Sequence, residues 1–238
     1  EGDYPIINTG LSDVFQRYYS AWNADRGDDN VLLMTGEPGI GKKSAVKRFC
    51  KEVGAADQSV RIAMLDIPAR TLDANTLFSL VGEQIGVDLT DGPAALANAN
   101  ETLEPTLLVL NNAEHLFLAD VGALDAWQAL LSLTNARAGN LFWMIVMNNQ
   151  SWAYLCNVFG RDYQMRNVVR VKRWTQAEIR SLILSRNQQS GYRLRYDDVL
   201  MDTRAPANNS LRNAEQRYFS LLWDASRGVP VTALRLWQ

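Results

Sequence analysis

The chain has 238 residues, 47% of them hydrophobic and 21% charged, with a formal net charge of −2. That length holds one α/β domain with a small appendage, and the composition is that of a soluble globular protein with a substantial core. No apolar run reaches the roughly eighteen residues of a membrane span, and the near-neutral charge gives no global pull toward nucleic acid.

Glu1-Gly2-Asp3-Tyr4 is acidic and lacks an apolar core, so no signal peptide is expected. The chain starts without a methionine and reads as a piece of a longer protein. Cys50 and Cys156 suggest neither a disulfide framework nor a metal cluster, which points to a reducing, cytoplasmic compartment.

The first element, Leu11 to Trp22, carries apolar residues at 11, 14, 15, 18, 19 and 22, a helical stripe. A polar turn, Asp25 to Asn30, leads into the apolar run Val31-Leu32-Leu33-Met34-Thr35. A glycine-rich turn follows, and a helix is predicted from about Lys42, with Ala45, Val46 and Phe49 on one face. This is the strand–loop–helix of a phosphate-binding loop, G-x-x-x-x-G-K, with Gly36, Gly41 and Lys42 at the fixed positions. The segment Gly36-Glu37-Pro38-Gly39-Ile40-Gly41-Lys42-Lys43-Ser44-Ala45 is the candidate binding loop. Glycines let its N–H groups turn inward as an anion nest, and the helix start adds unsatisfied donors and a positive dipole end. Lys42 supplies a charge for the β and γ phosphates. After that lysine the motif expects Ser or Thr, whose hydroxyl ligates Mg²⁺, and here Lys43 stands instead, with Ser44 next.

Arg61 to Ile67 reads as a second buried strand, broken by Pro68, and Thr71-Leu72-Asp73 opens a helix to about Ile85. Thr90 to Asn100 reads as a loop and a short Ala-rich helix. Thr106 to Leu110 is an apolar strand ending in Asn111-Asn112, where a P-loop enzyme places its second acidic motif; both carboxylates are missing. Glu114 follows as a candidate replacement base or a helix-start carboxylate, and His115, the one histidine, as a packing or capping residue. A helix from about Val121 to Leu133 precedes the buried strand Asn140 to Met147, which ends in Asn148-Asn149-Gln150. Trp152 to Phe159 reads as helix and Val168 to Val171 as a last strand. Alternating strands and helices argue a parallel sheet with both faces covered, its polar strand ends marking the ligand crevice.

From Trp174 the pattern is all helical. Thr175-Gln176-Ala177-Glu178 is a capping box opening a helix to about Gln188. Tyr192 to Met201 and Leu211 to Ser226 read as further helices around a loop at 202–210, and Gly228-Val229-Pro230-Val231 precedes a last one. The tryptophans sit in apolar patterns and read as core, with Trp22, Trp152 and Trp237 as candidate contacts for absent chain.

P-loop, second strand motif, polar-ended strand and small helical bundle, in that order, resemble an AAA+ ATPase module, in the style of transposition regulators and STAND NTPases. The resemblance implies an α/β parallel-sheet P-loop domain over 1–172 and a helical lid over 173–238, with ATP or ADP as cofactor. It makes Asn111-Asn112 the Walker B Asp-Glu pair, Asn148 or Asn149 the sensor-1 residue, and Arg161 or Arg166 the trans-acting arginine finger. Pro230 belongs to a sensor-2 segment whose usual arginine is replaced by Val231, with Arg235 as the near substitute. The departures form one set: the Mg²⁺-ligating hydroxyl is Lys43, and both carboxylates are uncharged asparagines, which are not useful bases. The expectation is a pseudo-ATPase that binds nucleotide with little need of Mg²⁺ and acts as a switch, through self-association or a partner protein. Three alternatives stand beside it: a working ATPase using Glu114 or Asp66, a DNA-associated platform using the region of Arg166 and Arg173, and an interaction domain without ligand.

Overall fold

In the computed structural model the described residues are 9–27, 29–119, 123–160, 165–191 and 211–238. Arg161, the helix expected from Tyr192 to Met201 and the loop at 202–210 lie outside them.

Helix α1 (Thr9–Asp25) precedes strand β1 (Val31–Gly36), followed by α2 (Lys42–Ala56) and β2 (Arg61–Asp66). Then come α3 (Ala74–Ile85), α4 (Pro93–Ala99), β3 (Thr106–Asn111) and a 3₁₀ turn at Ala113–Leu116. After α5 (Asp125–Thr134), β4 (Leu141–Asn148), α6 (Asn149–Phe159) and β5 (Val168–Arg170) the chain is helical. It continues with α7 (Gln176–Ser190), α8 (Leu211–Ser226) and α9 (Pro230–Trp237).

Two compact units divide the chain. One comprises Leu11–Glu37 and Lys42–Val171; the other holds Pro38–Gly41 and Lys172–Gln238. The first is built on a five-stranded, all-parallel sheet in the order β2-β3-β4-β1-β5. Strands β3 and β4 are apolar on both faces because both faces are covered. On one face, Phe15, Tyr19 and Trp22 of α1 and Phe49 of α2 form an aromatic cluster with Phe142. The other face packs Leu108, Leu110, Trp143 and Ile145 against Leu77, Val81, Trp127 and Leu130.

Two sequence expectations change. Among the described residues β2 is an edge strand, and its Arg61, Met64 and Asp66 are exposed. Trp22 is 2% exposed, and its Nε1 donates to the Gly139 carbonyl at 2.6 Å, so it belongs to the core.

Within the second unit, α7 opens with the expected capping box: Thr175 Oγ1 accepts from the Glu178 N–H, and the Glu178 carboxylate accepts from the Thr175 N–H. No helix among the described residues is long and apolar enough to cross a membrane.

Candidate functional site at the carboxyl ends of the strands

Strand β1 ends at Gly36 and α2 begins at Lys42, so the five residues between must reverse the chain. Gly39 and Gly41 make that possible, with φ of +78° and +101°, conformations that an L side chain strains to adopt. At the helix start Lys42 is half-buried, and its ammonium donates to the carbonyls of Gly36 (2.8 Å) and Glu37 (3.0 Å). Burial lowers the pKa of this ammonium below the ordinary lysine value, and the negative charge of Glu114 works against that. Ser44 and Pro38 are exposed, Glu37 and Ala45 half-buried, and Ile40 is buried.

The remaining candidates come from strand ends. Register pairs Gly36 with Asn148 and Asp66 with Asn111, so four strands present their last residues along one edge. Asn111 is 4% exposed and lies on the sheet face of Leu107 and Val109, opposite to Leu108 and Leu110. Its Oδ1 is buried and meets no donor among the described residues. Asn112 takes a left-handed conformation (φ 58°) that turns the chain into the 3₁₀ segment. On that segment Ala113 and Leu116 are fully buried, and the His115 Nδ1 lies 2.7 Å from the Ile67 carbonyl beyond β2. Glu114 is half-buried, with Oε2 enclosed and without a donor among the described residues.

Asn148 is committed to local structure: its Oδ1 accepts from the Ser151 N–H at 2.7 Å and caps α6. Asn149 is the other sensor candidate, and its Oδ1 is buried without a donor among the described residues. Lys43 is exposed, and its ammonium lies 3.2 Å from the Asp66 carboxylate, which is also exposed. Arg166 is exposed before β5, at the amino ends of the strands, where it lines a cleft of about 200 Å³ with Arg137 and Asn135. It therefore stands at the far end of the sheet from Lys42.

In the second unit the loop segment Pro38–Gly41 meets Trp174, which sequence reasoning missed, and Val231 of the expected sensor-2 segment. The Trp174 indole donates from Nε1 to the Ile40 carbonyl at 3.2 Å, and its ring lies 3.8 Å from where a Cβ on Gly41 would be. Pro230 is buried at the first turn of α9, and the next residue, Val231, donates its N–H to the Gly39 carbonyl at 3.4 Å. Arg235 is exposed. No local signal marks Trp174 for this role, because its partner lies 134 residues away.

The loop fits a phosphate chain: curled backbone, helix start and a lysine held at its mouth. The protein groups for Mg²⁺ do not fit, since a cation stands at the hydroxyl position and a neutral amide at the carboxylate position.

No protein-family model and no curated protein matches the sequence. Solved structures match most of the chain. The ORC2 protein of Aeropyrum pernix, in its ADPNP–ADP complexes, is 15% identical with a TM-score of 0.58, over 94% of this chain and 64% of that one. Cdc6p from Pyrobaculum aerophilum gives 13% and 0.58, over 79% and 52%. Hsp104 of S. cerevisiae, in a casein complex, gives 17% and 0.57, over 98% and 37%. The chain thus spans 64% and 52% of the lengths of the first two. These are AAA+ P-loop ATPases, and at such identities the likeness establishes that this chain has their fold.

Proposed function

We propose that this chain is an AAA+-type nucleotide-binding module that holds ATP or ADP without a protein-bound Mg²⁺ and hydrolyses it slowly or not at all. It acts as a regulatory or assembly switch within a larger intracellular protein, the helices from Arg173 onward serving as its lid. What carries this reading is a phosphate loop that keeps Gly36, Gly41 and Lys42 while Lys43 and Asn111 stand where the resemblance expects the metal ligands. Related support comes from the ORC2 structure, which was solved with ADPNP and ADP. The Lys43–Asp66 pair is exposed on both sides, so it holds the Lys43 ammonium weakly. That ammonium is free to turn toward a phosphate chain and supply part of the charge a metal would bring. Self-association or a partner protein is its expected contact, with Arg166 as a candidate interface residue.

The deciding experiment is a calorimetric titration of ATP and ADP, with Mg²⁺ and with EDTA, beside a phosphate-release assay. Binding that survives EDTA, with no release over hours, is the expected result. Release that needs Mg²⁺ and is lost on Glu114→Gln would instead establish a working ATPase. That rival is favoured by one observation, the enclosed Glu114 carboxylate whose charge acts on Lys42.

A further inference from the structure

We propose that Trp174, with the backbone N–H of Val231, is a positioning residue of the phosphate loop. The two hold successive loop carbonyls so that the N–H groups behind them face the bound phosphate. The inference rests on the nucleotide-binding reading above and says what orients the donors of that site.

The loop segment Pro38–Gly41 belongs to the same compact unit as Trp174 and Val231. The Gly39 carbonyl accepts from the Val231 N–H at 3.4 Å, and the Ile40 carbonyl accepts from Trp174 Nε1 at 3.2 Å. Both peptides are trans, and in a planar trans peptide the C=O of one residue and the N–H of the next point in opposite directions. Fixing the Gly39 carbonyl therefore turns the Ile40 N–H away from Val231. Fixing the Ile40 carbonyl turns the Gly41 N–H away from Trp174.

The helical side of the loop is filled. A Cβ on Gly39 would stand 3.1 Å from the Val231 Cβ and 3.4 Å from the Val229 Cγ1, and one on Gly41 would stand 3.8 Å from the Trp174 ring. A phosphate must approach from the other side. There the Gly41 N–H meets no acceptor among the described residues. Directly after it α2 begins at Lys42, with first-turn N–H groups that no preceding turn can satisfy. Successive free N–H groups facing one way are what an anion nest is made of.

The clamp is itself anchored. Trp174 donates its N–H to the Gly228 carbonyl at 2.9 Å, and its own carbonyl accepts from Trp223 Nε1 at 2.8 Å. Trp174 and Ile40 are both buried, so the carbonyl of Ile40 has no water to replace the indole donor. Without that donor the Ile40–Gly41 peptide loses the bond that sets its direction, and the glycine on its far side permits it to rotate. Binding would then carry the cost of ordering the peptide, which the clamp removes beforehand.

The test follows the Gly41 amide by NMR, in protein labelled with ¹³C at isoleucine carbonyls and ¹⁵N at glycine. Only Ile40–Gly41 and Ile85–Gly86 join these residue types in that order, so two amide signals pass a carbonyl filter. Gly86 donates to the Gly82 carbonyl at 2.8 Å and serves as the internal reference. Titration with pyrophosphate or ADP in EDTA is expected to move the Gly41 N–H downfield, as a bond to phosphate oxygen does, and to leave Gly86 in place. Trp174→Phe keeps an aromatic ring and removes the donor. It is expected to weaken both ligands by about tenfold and to shrink the Gly41 shift at saturation. Ile183→Ala, at a fully buried position about two turns into α7, is the stability control and should bind as the natural chain does.

A bound ligand that leaves the Gly41 signal unmoved, or a Trp174→Phe protein that binds as tightly as Ile183→Ala, would overturn the inference and leave the nucleotide-binding reading standing. Should neither pyrophosphate nor ADP bind the natural chain, that reading falls and this inference with it. The Gly41 shift is read on the natural chain, so a poorly folded variant does not remove the test.

Discussion

The ammonium of Lys42 donates across 2.8 Å to the carbonyl of Gly36, the residue at which the central strand ends. A second bond to the Glu37 carbonyl closes the loop on its own lysine. Phosphate must compete for this group, and the loop carbonyls then turn to solvent or to other donors.

Lys42→Met is expected to weaken ADP binding by about a hundredfold, since charge-assisted hydrogen bonds to phosphate are among the stronger polar contacts. Titration of ADP into both proteins in EDTA gives the ratio. A variant that binds as well as the natural chain would mean that the loop backbone alone holds the ligand.

Lys42 also predicts a proton signal. Burial sets its pKa below the ordinary lysine value of 10.5 in the folded chain. Between the lowered value and 10.5 the unfolded chain holds the Lys42 proton more than the folded one, so the Lys42 contribution to stability rises with pH across that window, against the opposite contributions of Cys50, Tyr19 and Tyr218, whose pKa values burial raises. Below the window both states carry the proton and the slope vanishes. A bound phosphate favours the charged form, so binding at alkaline pH should take up protons and weaken as pH increases. Calorimetry in two buffers of different ionisation enthalpy measures the uptake, and Lys42→Met should abolish it and remove the Lys42 part of the stability slope.

Much of this arrangement is legible in the sequence, and the failures have a common cause. Val31 to Thr35, Thr106 to Leu110 and Asn140 to Met147 read as buried strands because their apolar runs are unbroken, and each falls in a central strand. Thr175 and Glu178 announce a helix start three residues apart, and both bonds of the capping box form. The run Ile62-Ala63-Met64-Leu65 is as apolar as its neighbours and reads as a buried strand. Strand order places it at the edge, and order is not written in any local run. The site divides the same way. Gly36, Gly41 and Lys42 carry their geometry with them, whereas the tie between Trp174 and Ile40 and the field of Glu114 on Lys42 exist only after folding.

Restoring the metal ligands should convert the site. The expectation for the natural chain is nucleotide binding that changes by no more than about twofold between Mg²⁺ and EDTA. In Lys43→Ser with Asn111→Asp, Mg²⁺ should strengthen ATP binding by at least about tenfold, through the hydroxyl and the carboxylate that ordinary loops provide. Loss of the exposed Lys43–Asp66 pair costs under about 1 kcal/mol. The new carboxylate at a position 4% exposed is the larger burden, so the double variant should be less stable in EDTA and recover with Mg-ATP. Thermal unfolding in the two buffers follows this. A natural chain that loses binding in EDTA would show that other groups hold the metal.

Asn30 separates stability from binding. It is 3% exposed at the start of β1, and its Nδ2 donates to the carbonyls of Ala138 (3.1 Å) and Leu141 (2.7 Å) ahead of β4. Its own carbonyl accepts from the Trp143 N–H at 2.7 Å, so one residue pins β1 to β4 at their amino ends. Asn30→Ala takes this donor from the buried Leu141 carbonyl and one of two donors from the Ala138 carbonyl, which keeps the Leu141 N–H, and should cost about 1–3 kcal/mol in urea unfolding. Asn30→Asp keeps the shape but has no donor, so it should be at least as damaging. The six residues of β1 span roughly 20 Å between Asn30 and the loop. Protein that remains folded should therefore bind ADP as the natural chain does, whereas a loss of affinity matching the loss of stability would show that the loop depends on this end of the sheet.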